Sequence, residues 1–397
     1  MQIDARLEQL GDNPFTRLNA LLRGVAPHGN ERPVILSVGE PQHAPPAWVA
    51  DVIAAHAGSW NRYPPIQGTE EFRQSALDWL GRRYCLAPGL LDPERHILPL
   101  AGTKEGLFLA AQIVVPALKS GRRPAALLPN PLYLTYRAAA IMAGAEIVPL
   151  PAPRTTGFLP DLGAIDAALL DRTALLFLCT PANPQGAIAS LDYLQQALRL
   201  ARHHDFVLFV DECYCEIYDR APPPGALEAA EALGEGLDNL LVFHSLSKRS
   251  NGAGLRAGFV AGDERLIGRF LTLRSYAGSQ VPLPIQAAAA ALWRDEAHVV
   301  ENRARYRSKI DTAERVLGDR FGFYRPPGGF FLWLEVGDSE AAALRLWRAA
   351  GVKSLPGSYL ALDESSGHNP GAGYLRLALV HDDATIAAAL ERMVRVL

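Results

Sequence analysis

Between about residues 95 and 262 the chain repeats one pattern: a short, almost wholly apolar run, then an amphipathic or Ala-rich stretch. The runs include AALL (125–128), EIVPL (146–150), ALLFLC (174–179), FVLFV (206–210) and LLVFH (240–244). Apolar strands alternating with helical segments are what a parallel sheet covered by helices demands. FVAG (259–262) comes after the last run and reads as its antiparallel neighbour. The pattern predicts an α/β large domain.

The flanks predict a smaller α+β domain. Residues 1–40 are irregular apart from a short helix near NPFTRLNALL. Ala-rich helices are expected at 286–294 and 296–317, then a strand in PPGGFFLWLEV, a helix near 339–350 and a strand in YLRLALV. The expected division is 1–45 as an N-terminal arm with part of the small domain, 46–285 as the large domain, and 286–397 as the small domain. The stretch APPPGALEAAEALGEG (221–236) reads as a surface excursion rather than a domain boundary.

Composition narrows the function. Of the 397 residues, 49% are apolar and 20% charged, the balance of a globular protein with a large core. The formal net charge of -3 gives no electrostatic reason to expect a nucleic-acid or anionic-membrane partner. No apolar run approaches the roughly 20 residues that span a bilayer. The start, MQIDARLEQLGDNPF, has no apolar core of a secretory signal. The expected location is the cytoplasm. Four cysteines make no disulfide framework at this length. Cys213 and Cys215 read as packing residues alternating on a strand end, with no second ligand pair to complete a metal site.

The residues at the ends of the apolar runs are more informative than the runs themselves. AALL leads to PNPLY, ALLFLC to TPANPQG, FVLFV to DECY and LLVFH to SLSK. In open α/β sheets ligands sit beyond the carboxyl ends of the strands, and here four ends in succession carry polar, Gly/Pro-shaped groups. Asp211 comes after FVLFV with no spacer, and a carboxylate there must be paired to be tolerated; a helix cap or ion pair is the ordinary reading. Asn183, in NPQG, is ordinarily a turn residue. AGTKEG (101–106) opens a helical pattern with Gly102 and Thr103, a possible anion site that is equally an ordinary Thr N-cap. It lacks the lysine placement of a P-loop.

Most lysines are surface lysines. Lys248, however, sits among Ser245, Ser247, Asn251, Gly252, Gly254 and Arg256. Small residues let a ligand approach the backbone, and serine and arginine donors suit a phosphate. A lysine beside such cations has a lowered pKa and can bond covalently to an aldehyde. The glycines at 252, 254 and 258 have the wrong spacing for a dinucleotide fingerprint.

The ordered set Tyr63 with Gly68, AGTKEG, PNPLY, NPQG, VDECY, SLSK with Arg256, and YLRLA resembles the class I and II aminotransferases, pyridoxal-phosphate enzymes of fold type I. The resemblance runs from about residue 12 to the C-terminus. It implies a mostly parallel seven-stranded sheet between helices and pyridoxal 5′-phosphate as cofactor. Lys248 would hold the cofactor aldehyde and then carry the proton between the substrate Cα and the cofactor. Asp211 would pair with the pyridinium nitrogen, Tyr214 and Asn183 with the ring oxygen, and Tyr133 would stack on the ring. The phosphate would lie against Gly102, Thr103, Ser245 and Arg256, with Tyr63 reaching in from a partner subunit of a homodimer. Arg376 and the backbone of Gly39 would take the substrate α-carboxylate. Two positions depart from the pattern: Gly252, where an aliphatic residue is usual, and Ala101, where serine or glycine is common.

The segment HSLSKRSNGAGLRAGFVAGD (244–263), PPGGFFLWLEV and LPGSYLA are similar to the N-succinyldiaminopimelate aminotransferases of bacterial lysine biosynthesis. That resemblance implies amino transfer between N-succinyl-L,L-diaminopimelate and 2-oxoglutarate. A long dianionic substrate needs a second cation, for which Arg17, Arg23, Arg249 and Arg274 are candidates. Alternatives on the same fold are an aspartate, alanine or aromatic aminotransferase, or a carbon–sulfur lyase, which would release thiol from cystathionine without an oxo-acid acceptor. A ligand sensor on a DNA-binding protein would need a basic helix-turn-helix module, for which the N-terminus leaves no room.

Overall fold

A computed structural model describes residues 3–27 and 32–397. Its centre is a seven-stranded sheet. In spatial order the strands are Ile97–Leu100, Gly258–Gly262, Leu240–Ser245, Val207–Asp211, Thr173–Cys179, Ala125–Asn130 and Glu146–Pro151. The last five run parallel, while Gly258–Gly262 is antiparallel to Leu240–Ser245, as its sequence position suggests. The edge strand Ile97–Leu100 is not among the apolar runs read from the sequence. Pro99 interrupts it, and proline within a sheet is confined largely to such edges.

Both faces of the sheet are buried, which explains the unbroken apolar runs. Leu176, Leu208, Val210 and Val242 enter one core; Leu175, Phe177, Phe209 and Phe243 enter the other. The alternation within each strand is the pleat itself. The stretch 221–236 is not a surface excursion. It contains the helix Ala226–Leu233, whose Ala226, Leu227, Ala229 and Ala230 are buried. Nor do Cys213 and Cys215 lie on a strand: the strand stops at Asp211 and both cysteines sit in the turn after it.

A three-stranded sheet is antiparallel, with Tyr374–Ala378 between Leu355–Pro356 and Phe331–Glu335. Val34–Ile35 pairs with Val352–Lys353, tying the start of the chain to its end. Leu375 and Leu377 point into a core shared with Val34, Leu36 and the helices Ser339–Ala350 and Asp383–Val396; Arg376, between them, points the other way. The helix Leu283–Arg294 buries Ala288, Ala289, Leu292 and Trp293 in the large-sheet core. We therefore propose that the small domain begins beyond Arg294, not at residue 286.

Candidate active site

Register brings the functional groups together. Cys179 lies opposite Asp211, and Asp211 opposite Phe243, so two strands end level and the third runs two residues further, to Ser245. The segments that leave those ends carry Asn183, Tyr214 and Lys248. Ser245 accepts a hydrogen bond from the amide of Ser247, which starts a four-residue helix, Leu246–Arg249, holding Lys248 at the sheet edge.

These ends border a cavity of about 450 Å³. Lys248, Asp211, Tyr214, Asn183, Tyr133, Thr103, Ser245, Arg256, Arg376 and Gly39 all line it. Gly102 lies just beneath: a Cβ there would fall 2.2 Å from Arg256 Nη2, so only glycine lets the guanidinium settle against the backbone. Tyr63 does not reach the cavity. Its side chain is fully exposed on this chain's surface.

The electrostatics are unusual for a cavity wall. Lys248 Nζ donates to the Gly39 carbonyl. Burial pulls its pKa down to about 8, and the Arg376 and Arg256 guanidinia lower it too, against opposite pulls from Cys213 and Glu40. Asp211 is 5% exposed, yet no described cation lies within ion-pair distance of it. Its Oδ2 accepts from the Tyr136 hydroxyl at 2.7 Å and its Oδ1 from the Cys213 amide at 3.1 Å. Burial raises its pKa, and these hydrogen bonds oppose the rise. Arg376 donates to Asn183 Oδ1 at 3.0 Å and to the Ser37 carbonyl at 2.8 Å, and lies 4.4 Å over the Phe331 ring. Its Nε is buried without a partner among the described residues. Burial lowers its pKa to about 10. Burial also lifts the Tyr214 and Tyr133 hydroxyls.

The four arginines suggested for a distal carboxylate do not line the cavity. Arg249 is buried 5.0 Å from the Trp293 ring and 5.5 Å from the Trp79 ring, and pairs with Glu296 at 2.8 Å. Arg274 is buried and donates to the Ser279 carbonyl. Arg17 packs 3.9 Å over Tyr359, and Arg23 is exposed. The cavity instead contains Lys104, an exposed side chain with no ion pair to any described residue. Glu40 also lines it, as do Asn13, Pro14, Phe15 and Phe331. Sequence reasoning missed these and Tyr136. Tyr136 had a signal, standing one helical turn after Tyr133 in LYLTY, but that spacing is also the spacing of ordinary core residues.

Fold and cavity together define a pyridoxal-phosphate-type transferase site. Residues 31–393 match the family "Aminotransferase class I and II", and the chain belongs to that family. It is 36% identical over 363 residues to a 4-dedimethylamino-4-oxo-anhydrotetracycline transaminase of Streptomyces rimosus, covering 91% of this chain and 92% of that one. It is 32% identical to an LL-diaminopimelate aminotransferase of Moorella thermoacetica, covering 100% of this chain and 99% of that one. Among solved structures, an aminotransferase from Neisseria meningitidis superposes with a TM-score of 0.93 at 40% identity, covering 99% of each chain. A "probable N-succinyldiaminopimelate aminotransferase" from Thermus thermophilus gives 0.84 at 25% identity, covering 97% of this chain and 100% of that one.

The cofactor is pyridoxal 5′-phosphate, and the residues present fit it. A buried, cation-free carboxylate suits a protonated ring nitrogen. A buried amine of lowered pKa suits an aldehyde. Gly102, with no Cβ, lets the Arg256 guanidinium lie against the backbone beside Thr103 and Ser245, a donor set suited to a phosphate.

Proposed function

We propose that this aminotransferase moves an amino group between N-succinyl-L,L-diaminopimelate and 2-oxoglutarate, in the cytoplasm and as a homodimer. The observation that carries the reaction class is the triad of Lys248, Asp211 and Arg376 around one cavity. The substrate rests on the sequence pattern in residues 244–263 and on likeness to the Thermus protein.

In this reading the bound cofactor supplies an electron sink for the pair released when the substrate Cα–H bond breaks. Lys248 would hold the cofactor until substrate arrives and then carry the proton from the substrate Cα to the cofactor; a pKa near 8 leaves the amine able both to accept and to give up a proton near neutrality. Asp211 stays ionised once it faces a ring cation, and Tyr136 fixes its orientation. Tyr214 and Asn183 orient the ring through its oxygen. Arg376 already holds Asn183 and Ser37, and turns its guanidinium to the α-carboxylate. Thr103, Ser245, Gly102 and Arg256 take the phosphate, with Tyr63 serving the site of the other subunit. Lys104 answers the need for a distal cation. The second reading is unsuccinylated L,L-diaminopimelate, favoured by Glu40, whose carboxylate lines the cavity and suits a distal ammonium.

The half-reaction tests both. The loaded enzyme is mixed separately with N-succinyl-L,L-diaminopimelate, L,L-diaminopimelate, glutamate, aspartate, alanine and phenylalanine, and the lysine-bound cofactor band is followed to the pyridoxamine band. Fast conversion by the succinylated substrate and glutamate supports the first reading, and fast conversion by the free diamine the second. Conversion by aspartate or phenylalanine alone discards both and keeps the reaction class.

A further inference from the structure

The strap from Leu36 to Pro46 crosses the cavity with no helix or strand. Its Val38, Gly39 and Glu40 line the site. Residues 37–45 make no backbone–backbone hydrogen bond to any described residue. Side chains from elsewhere therefore hold this segment. Arg376 donates to the Ser37 carbonyl, and Lys248 donates to the Gly39 carbonyl. The third tie is Lys309 Nζ to His43 Nε2, at 2.7 Å.

The three ties are not equivalent. In an aminotransferase site, Arg376 turns to the substrate carboxylate and Lys248 leaves Gly39 to do chemistry. The Lys248 tie is given up once its amine takes the cofactor aldehyde, and the Arg376 tie when substrate binds. The His43–Lys309 pair stands outside the cavity lining, so a group bound in the cavity does not compete for it.

Lys309 is an unusual residue to bury. It is 0% exposed, has no carboxylate within ion-pair distance among the described residues, and makes its one described hydrogen bond to His43. A buried ammonium with so little compensation is costly. Its Nζ lies 4.5 Å over the Tyr306 ring, which stacks on Phe330 at 5.1 Å, which touches Phe331 at 4.8 Å. Phe331 lies under Gly39, where a Cβ would come within 2.6 Å of it. The pair thus fastens the strap to the helix Ala297–Leu317 and to the aromatic floor of the site.

We propose that His43 and Lys309 are positioning residues that hold the Leu36–Pro46 strap over the substrate while Arg376 and Lys248 are engaged. This rests on the aminotransferase reading of the site, not on which amino acid is the donor. The contact requires His43 Nε2 to accept, so the imidazole must be neutral. Burial lowers the His43 pKa from 6.5, and Lys309 and Arg305 lower it further, while Asp382 and Asp383 oppose them. Protonation at lower pH sets a second cation against Lys309 and loosens the strap.

The test uses the full-length loaded enzyme and whichever amino donor the wild type converts fastest. For His43→Leu we expect the half-saturation concentration of donor to rise about tenfold, with the maximal half-reaction rate within about twofold and the cofactor band unchanged. His43→Gln keeps an acceptor for Lys309 and should return to within about threefold of wild type. It should also lack the weakening of donor binding expected of wild type as the pH falls far enough to protonate His43. If His43→Leu cannot hold cofactor, the double variant His43→Leu/Lys309→Met removes the stranded charge and carries the same expectation. Wild-type half-saturation in His43→Leu or the double variant overturns the proposal, as does a His43→Gln as impaired as His43→Leu. A wild type that forms no lysine-bound band would instead sink the reading of the site.

Discussion

Replacing Lys248 by methionine should make the cofactor-free protein more stable while destroying its activity. The drop in the lysine pKa from 10.5 to about 8 measures how much the fold disfavours the ammonium. At 1.36 kcal/mol per decade this is about 3 kcal/mol at neutral pH. Methionine keeps the apolar stem and removes the charge. It also leaves the Gly39 carbonyl without its donor, worth about 1 kcal/mol, so the net gain is about 2 kcal/mol. The gain has a definite pH dependence. Between about pH 8 and 10.5 the unfolded wild type binds a proton that the folded form has lost, so wild-type stability rises with pH. The methionine variant has no such proton, and its advantage should fall to near zero by about pH 9.5. Urea unfolding of both cofactor-free proteins, at equal protein concentration near pH 7 and near pH 9.5, measures this directly. A variant less stable than wild type near pH 7, or an advantage unchanged by pH, would refute the reasoning.

Asp211→Asn keeps the shape and the Tyr136 contact but removes the carboxylate that would keep a ring nitrogen protonated. It should lower kcat by at least ~10²–10³-fold, and retention of near-wild-type turnover would rule that role out. Arg376→Ala should raise KM for amino-acid and oxo-acid substrates alike, by ~10²-fold for a lost bidentate charge pair, with the cofactor retained. Release of cofactor from that variant would make Arg376 a structural or phosphate-binding residue. Lys104→Met should raise KM by about two- to fivefold for substrates with a distal carboxylate and leave alanine unchanged; an equal effect on both classes would remove Lys104 from the distal subsite.

Much of this site was legible because burial and function leave different marks at a parallel strand. The strand interior must be apolar on both faces, so the first polar residue beyond it stands out, as Asp211 does after FVLFV and Ser245 and Lys248 do after LLVFH. What the chain hides is set by contacts made across long sequence distances. Arg249 looked like a second cation beside Lys248, yet successive helical residues point about 100° apart, and Trp79 and Trp293 come from remote segments to enclose it. Lys104 carries no signal in the sequence, because nothing local says that its helical turn faces a cavity. The helix Ala226–Leu233 was masked by the prolines that precede it, and the edge strand by Pro99. His43 and Lys309 are 266 positions apart and carried no signal of their pairing.

The most direct test of the account is to reduce the loaded enzyme with borohydride, digest it, and locate the cofactor mass by peptide mass spectrometry. The account predicts the added mass on Lys248 alone, and none in Lys248→Ala. Modification at Lys104, Lys309 or another lysine, or no modification in protein that shows bound cofactor, would contradict it.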